Sequence, residues 1–273
     1  MKNFIFLIAA ITLFIYYNLK AEDSDNLVKL DIYSNVKQIQ VGSDFFIAIK
    51  LDVAEEWHIY WKNPGDSGLP TEVKWTLPKG VEADGGLIWQ VPERIAWSGM
   101  VNYGFEHDVY LIQKFKTSRL IDAESLKIKA HVNWLICKEK CIPQDKKIEI
   151  SIAVGEMFEK SEYSKMIQDL LASAPKQFKS TKSYFKSDDE NLEVKLTDMP
   201  SDVAQIIDLY LITDSVTDNT VNAKVENGNN KATAKFKLSP YLDVVPAEIE
   251  LLVLYKDKNG NNKSYETIIK NSK

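Results

Sequence analysis

Two cysteines, Cys137 and Cys141, lie in the stretch IKAHVNWLICKEKCIP at residues 128–143, separated by the polar loop Lys138–Lys140. Apolar and polar residues alternate before the loop and again after it, which is typical of half-buried strands. Facing residues on two antiparallel strands have Cα atoms roughly 4.5–5.5 Å apart, within the range that a disulfide requires. The sequence therefore predicts a hairpin in which the two cysteines can pair. Pro143 cannot donate to a ladder, so the second strand should start at an edge or a bulge.

This pair of cysteines favours thiol–disulfide exchange, with a local staple and a metal site as alternatives. A bond that closes about five residues stabilises a fold by only about 2 kcal/mol. Lys138 and Lys140 flank the cysteines, and nearby cations favour the reactive thiolate. We therefore expect Cys137 and Cys141 to be the catalytic residues. Cys141 is expected to be the more exposed sulfur and the one attacked, because it stands at the loop's end.

Metal binding is the second interpretation of the C-x-x-x-C spacing, because thiolates bind Cu(I) and zinc. His131 lies on the same strand face as Cys137, but six residues of strand span roughly 20 Å. His58 and His107 could approach the sulfurs only through the fold. Copper binding through the two sulfurs alone remains open, as in a copper-tolerance protein. We assign no metal ligand and expect no cofactor.

A non-catalytic binding module is the third interpretation. The turn-rich segment Asn63–Pro70 is typical of an ordered loop, although such a segment can also bind a ligand. Asp66 and Glu106 would need a cleft to act as general bases. No nucleophile–histidine–acid spacing or Gly-rich phosphate loop is present, which argues against a hydrolase.

Residues 1–21 have the pattern of a secretory signal: Lys2, an apolar run from Phe4 to Tyr17 and a small residue at a cut near Ala21. The run is short for a membrane span, which needs about 20 residues. We therefore expect an exported, periplasmic protein, in a compartment where disulfides persist. Cleavage also removes Lys20 and changes the formal charge from −5 to −7. Such a charge indicates no nucleic-acid partner.

The rest of the pattern predicts an all-β protein of two β-sandwich domains joined by a short helical linker. Short strands and turns fill the first half, which contains every tryptophan of the chain. Apolar residues at helical spacing from Tyr163 to Leu171 predict a linker helix that ends before Pro175. The second half has no cysteine, histidine or tryptophan. The predicted ranges are 22–155 for the first domain, 156–180 for the linker and 181–273 for the second domain.

Strands and turns are also predicted at particular positions. One strand is expected at Gly86–Trp89. Hairpin turns are expected at Asn227-Gly228 and Asn259-Gly260.

Several stretches of residues 27–155 together resemble one family, the N-terminal periplasmic domain of the disulfide reductase DsbD in its ScsB-like branch. The stretches that carry the resemblance are WHIYWKNPGDSGLP (57–70), WTLP (75–78), Trp89 with Pro92, NYGFE (102–106) and WLICKEKCIP (134–143). The resemblance implies an immunoglobulin-like sandwich whose cysteine pair passes electrons from a membrane partner to periplasmic thioredoxin-like oxidoreductases. Cys137 and Cys141 match the family's redox pair. The second sandwich of the ScsB-like branch fits residues 181–273.

The sequence departs from the family pattern at two points. Full members continue into a multi-span membrane domain and a thioredoxin-like domain, neither of which is in this sequence. The resemblance therefore implies a separately encoded membrane electron transporter or another electron source. The cysteines are also closer together than in the best-studied branch, where a cap loop shields them. Tyr103–Glu106 are the residues to examine for a capping role.

Overall fold

The structure is a computed structural model that describes residues 27–272. The predicted signal, residues 1–21, lies outside the described residues. Within them the chain is nearly all β, with sandwich-like sheets and one helix. The predicted fold class is thus confirmed. No helix among residues 27–272 has the length and apolar character needed to cross a membrane.

The first sandwich consists of two sheets that face each other. Its strands, in chain order, are β1 (Val28–Ser34), β2 (Val36–Gln40), β3 (Asp44–Val53), β4 (His58–Gly65), β5 (Glu72–Thr76), β6 (Val81–Ala83), β7 (Glu93–Trp97), β8 (Met100–Phe105), β9 (Val109–Thr117), β10 (Ser125–Cys137), β11 (Cys141–Gly155) and β12 (Glu159–Lys160). One sheet has the order β1-β3-β9-β6. The other has the order β12-β2-β11-β10-β4-β8-β7, with β5 also paired to β10.

Alternating apolar side chains of both sheets form the core between them. Phe45, Ile47, Ile49 and Leu51 of β3 are fully buried on the inner face of their sheet. They face strands β4, β8 and β10 of the opposite sheet, which contribute further buried residues to the same clusters. This period-2 burial is the pattern that the sequence shows in these strands.

Helix α1 (Ser164–Ser173) packs on the outer face of the four-stranded sheet. Ile167 is fully buried against Ala48 of β3 and Ile112 of β9. The helix follows the predicted helical spacing and ends before Pro175. It is thus a packed part of the first sandwich as well as the route to the second.

The second sandwich is built from one eight-stranded sheet that encloses a common core. Its strands are β13 (Lys176–Gln177), β14 (Tyr184–Ser187), β15 (Asn191–Leu196), β16 (Val203–Leu211), β17 (Lys224–Gly228), β18 (Lys231–Lys237), β19 (Glu248–Asp257) and β20 (Asn262–Asn271). The order is β16-β19-β20-β14-β15-β18-β17, and β13 also pairs with β20. Buried residues of six strands, β14 to β16 and β18 to β20, meet in one cluster.

Some local predictions differ from the structure. The predicted strand at Gly86–Trp89 is reduced to a single bridge between Ile88 and Ile112, because this segment has no continuous neighbour. The turn after β17 is centred on residues 229–230, since Gly228 is itself paired with Lys231. The turn at Asn259-Gly260 is confirmed between β19 and β20, with Gly260 at φ 84°.

The two sandwiches share an apolar contact. Leu252 of β19 is fully buried and belongs to the core cluster of the first sandwich. Tyr210 of β16 packs against the same cluster, and its ring centroid lies 4.9 Å from that of Tyr103. The second sandwich therefore covers part of the first sandwich's core.

Candidate redox site

The two cysteines face each other at the tip of the β10–β11 hairpin. The strands pair in continuous register from Ser125 opposite Ala153 to Cys137 opposite Cys141. The cysteine Cα atoms are 4.1 Å apart, and a disulfide joins the sulfurs. Lys138 N donates to the carbonyl of Lys140 at 3.2 Å, which closes the three-residue loop. The predicted hairpin and the predicted pairing are both present.

The two cysteines differ in exposure. Cys137 is 2% exposed, whereas Cys141 is classed as exposed. The expected order of exposure is confirmed. Within the described residues, β11 has β10 as its only neighbour at Pro143, because β2 pairs with it only from Ala153 onward. The strand is therefore an edge there, which is where a proline is tolerated.

Two side chains of β4 approach the disulfide. Residue pairing between β4 and β10 places His58 opposite Cys137 and Ile59 opposite Ile136. The Tyr60 hydroxyl lies 3.8 Å from Cys141 Sγ, within hydrogen-bond reach of sulfur, and 3.3 Å from His58 Nε2. The site is thus a row of three groups, Cys141, Tyr60 and His58.

Burial keeps Tyr60 and His58 neutral. Desolvation raises the pKa of Tyr60, which is 1% exposed. Desolvation also lowers the pKa of His58, against a smaller opposite effect of the Glu106 carboxylate. The phenol carries one hydrogen, so if it donates that hydrogen to sulfur it can only accept a hydrogen bond from His58. His58 must then carry its proton on Nε2. In this tautomer His58 donates to Tyr60, and Tyr60 donates to Cys141 Sγ.

Residues 25–152 match the family model described as "Thiol:disulfide interchange protein DsbD, N-terminal". The matched segment contains the whole hairpin tip and β4. Residues 25–152 belong to the DsbD N-terminal family. No curated protein sequence matches the chain at a significant level.

Two solved structures are similar to this chain. The N-terminal periplasmic domain of ScsB from Proteus mirabilis aligns with 92% of this chain and 97% of its own, at 14% identity and a TM-score of 0.63. The Neisseria meningitidis DsbD N-terminal domain in the reduced form aligns with 52% of this chain and 98% of its own, at 12% identity and a TM-score of 0.32. The first match, which spans both sandwiches, shows that the fold is shared.

The segment Asn63–Pro70 ends strand β4 and continues as an ordered loop. Asp66 Oδ2 accepts a hydrogen bond from Val101 N at 2.8 Å, and Asn102 Oδ1 accepts one from Ser67 N at 3.0 Å. Gly68 has a φ of +92°, and a side chain at this position would collide with the Tyr60 ring. The loop therefore covers Tyr60, and Asp66 serves as an anchor.

Tyr103–Glu106 do not form a loop over the cysteines. Tyr103, Gly104 and Phe105 are strand residues of β8, with Gly104 opposite Tyr60 and Phe105 opposite Ile59. Glu106 is exposed at the end of the strand, where its charge acts on His58.

The other histidines lie apart from the row, and Lys138 is paired with a carboxylate. His131 Nε2 is 2.7 Å from Asp145 Oδ2 on the exposed face of the hairpin, and His107 is exposed. Lys138 Nζ is 2.8 Å from Glu56 Oε2, so its charge is shared with a carboxylate. Among residues 27–272 no three histidine, cysteine or acidic side chains cluster as metal ligands.

Tyr60 is a functional candidate that the sequence did not indicate, and His58 was considered there only as a possible metal ligand. Their positions depend on the pairing of β4 with the last two residues of β10, which are about 80 residues apart in sequence. The available signal was the alternation in WHIYW, which places His58 and Tyr60 on one strand face.

Proposed function

We propose that the chain is an exported thiol–disulfide exchange protein. It passes electrons between a membrane or periplasmic reductant and periplasmic oxidoreductases through Cys137 and Cys141. The observation that carries the proposal is the disulfide at the hairpin tip, buried at Cys137 and exposed at Cys141. Membership of residues 25–152 in a thiol–disulfide interchange family supports it.

The exchange conserves atoms and electrons. A thiolate of a dithiol reductant attacks Cys141 Sγ, the Cys137–Cys141 bond breaks, and Cys137 leaves as a thiolate that takes up a proton. The second thiol of the reductant, once deprotonated, then attacks the mixed disulfide and releases Cys141 as a thiolate. The reductant ends as a disulfide and this protein as a dithiol. The reverse sequence reduces a downstream disulfide.

The site's polar row acts on the Cys141 sulfur in this cycle. The Tyr60 hydroxyl is placed to donate a hydrogen bond to the Cys141 thiolate, and such bonds to charged groups are stronger than neutral ones. Burial around Tyr60 keeps water from competing for that bond. The Cys141 thiolate is therefore the stabilised form in the reduced protein.

The partners that fit this chemistry are thioredoxin-like oxidoreductases, together with a separately encoded membrane electron transporter as the reductant. The periplasmic location rests on the family and on the signal pattern of residues 1–21. In this proposal residues 22–155 form the redox domain, residues 156–180 the linker and residues 181–273 the second sandwich.

Trapping of mixed disulfides tests the proposal. In the full chain, Cys137→Ala should accumulate a mixed disulfide between Cys141 and a thioredoxin-like protein, because no internal thiol remains to release it. Cys141→Ala should trap much less, and the double variant none. More trapping with Cys141→Ala would reverse the two roles. No trapping by either variant, with stoichiometric Cu(I) binding by the reduced wild type, would replace exchange with copper binding.

A further inference from the structure

Three polar contacts from the second sandwich converge on residues 62–66. Lys62 Nζ is 2.7 Å from Glu266 Oε1 of β20. Asn63 Nδ2 donates to the carbonyl of Leu211 at 2.7 Å, and the Asn63 side chain is buried. Beyond the end of β4, the side-chain amide of Asn219 donates to Asp66 Oδ1 at 2.9 Å.

The first sandwich in turn fixes Asn219. The Arg94 guanidinium donates to its backbone carbonyl, and the Tyr103 hydroxyl donates to its Oδ1 at 3.5 Å. The side-chain amide is thereby oriented with its oxygen toward Tyr103 and its nitrogen toward Asp66. Residues of both sandwiches therefore hold Asn219 in place.

The segment held in this way follows Tyr60 directly. Residues 62–66 end β4 and begin the loop that runs to Pro70. Gly68 of this loop packs on the Tyr60 ring, and the Ser67 hydroxyl donates to Asn102 Oδ1 at 3.1 Å, which ties the loop to β8. The chain of contacts runs from Asn219 through the loop and the Tyr60 ring to Cys141 Sγ.

We propose that the second sandwich is the positioning element of the redox site. By holding residues 62–66, Asn219 and its neighbours keep the Gly65–Pro70 loop on Tyr60, so that the Tyr60 hydroxyl stays beside Cys141. Asn219 is a positioning residue, since it does not touch the sulfurs. The inference rests on the proposed function and assigns a role in it to a domain that carries no cysteine.

Release of the loop has a defined chemical consequence. When Asn219 no longer holds Asp66, the Tyr60 ring gains room to move and the hydrogen bond to the Cys141 thiolate is weakened. The reduced protein then loses stabilisation relative to the disulfide form. The equilibrium constant for reduction by glutathione should fall about fivefold, which is the effect of one ordinary hydrogen bond. The pKa of the Cys141 thiol should rise in parallel.

The test uses the full chain with Asn219→Ala and Asn219→Asp. Alanine removes the donor and leaves the backbone contact with Arg94. Aspartate keeps the size but sets a carboxylate against that of Asp66, so its effect should be larger. Redox equilibrium with glutathione and the pH dependence of Cys141 alkylation in the reduced protein are measured for each variant. If Asn219→Ala does not fold, the isosteric Asn219→Asp decides the result.

Asn227→Ala is the matched control. Asn227 also makes two side-chain hydrogen bonds within the second sandwich, both to the backbone of Ile206, at 2.8 and 3.0 Å. Neither of these bonds reaches the first sandwich. This variant should lower the thermal midpoint and leave both redox readouts at their wild-type values. An equal redox effect of Asn227→Ala would show that general loosening, and not positioning, is measured.

A double-mutant cycle identifies the route through Tyr60. Tyr60→Phe alone should reduce the equilibrium constant, and Asn219→Ala should then add little in the Tyr60→Phe background. Additive effects, or wild-type values for both Asn219 variants, would overturn the inference. A wild-type disulfide that glutathione cannot reduce would instead overturn the proposed function, so the two failures are distinguishable.

Discussion

The molecule closes two long hairpins in different ways, one in each sandwich. In the first, β10 and β11 end at Cys137 and Cys141, joined by a disulfide. In the second, β19 ends at Asp257 and β20 begins at Asn262. The Asp257 carboxylate accepts hydrogen bonds from Asn259 N and Asn261 N in the turn, at 2.9 Å each. Lys263 Nζ adds an ion pair to the same carboxylate at 3.0 Å.

The comparison indicates what the disulfide is for. The second hairpin is held at its tip by non-covalent contacts that are insensitive to redox conditions. A hairpin in this fold therefore does not need a covalent bond to close. The disulfide adds little to the stability of the hairpin. It does supply an exposed sulfur that a thiolate can attack, which exchange requires.

The largest expected effect concerns whether the two sandwiches are energetically separate. Leu252→Ala should lower the free energy of unfolding by about 2–5 kcal/mol, because a fully buried leucine is lost. Since Leu252 packs in the core of the first sandwich, probes in both sandwiches should respond, as measured by denaturant titration. Ile269→Ala, in the core of the second sandwich, is the control that should act mainly there.

A second prediction concerns the tip of the β19–β20 hairpin in acid. Hydrogen bonds from Asn261 and the ion pair with Lys263 hold the pKa of Asp257 well below its usual range. The folded carboxylate then binds fewer protons than the unfolded one, so its contribution is present above about pH 4 and is lost as the pH falls below it. Thermal midpoints of the wild type and Asp257→Asn should differ at neutral pH and converge in acid. A pH-independent difference would contradict this assignment.

Reduction of the β10–β11 tip should have a smaller effect. Opening a loop of about five residues should cost about 2 kcal/mol of folding free energy. Urea titrations of the oxidised protein, and of the protein held in excess reductant, measure the difference. A loss above about 4 kcal/mol would identify the bond as a structural staple.

The smallest effect is expected at the ion pair beside the disulfide. Glu56→Gln removes the ion pair between Lys138 and an exposed carboxylate, and exposed ion pairs contribute little. The rate of reduction by glutathione should change by less than about twofold. A change of tenfold or more would mean that the charge of Lys138 controls the attack.

The sequence predicted the parts of the site that are local. Alternation from Ile128 to Ile136 and the polar loop were sufficient for the hairpin register and for the greater exposure of Cys141. Helical spacing was likewise sufficient to predict α1. Its packing on Ala48 and Ile112 depends on which face of the four-stranded sheet is not covered by the other sheet.

The remainder depends on contacts between distant segments. Tyr60 reaches Cys141 only because β4 pairs with the end of β10, and Asn219 reaches Asp66 only because the sandwiches pack together. Neither pairing has a signal within a short window of sequence. The second sandwich contains no cysteine, histidine or tryptophan, so its composition alone pointed away from the redox site.

The central claim is that the Cys137–Cys141 bond is an exchangeable redox pair and not a staple. Its most direct test is the reduction potential of the full chain, measured by equilibration with glutathione or dithiothreitol buffers and mass-resolved thiol labelling. An exchangeable pair should have a potential well above the roughly −300 mV that is typical of structural disulfides. A potential below that value would contradict it.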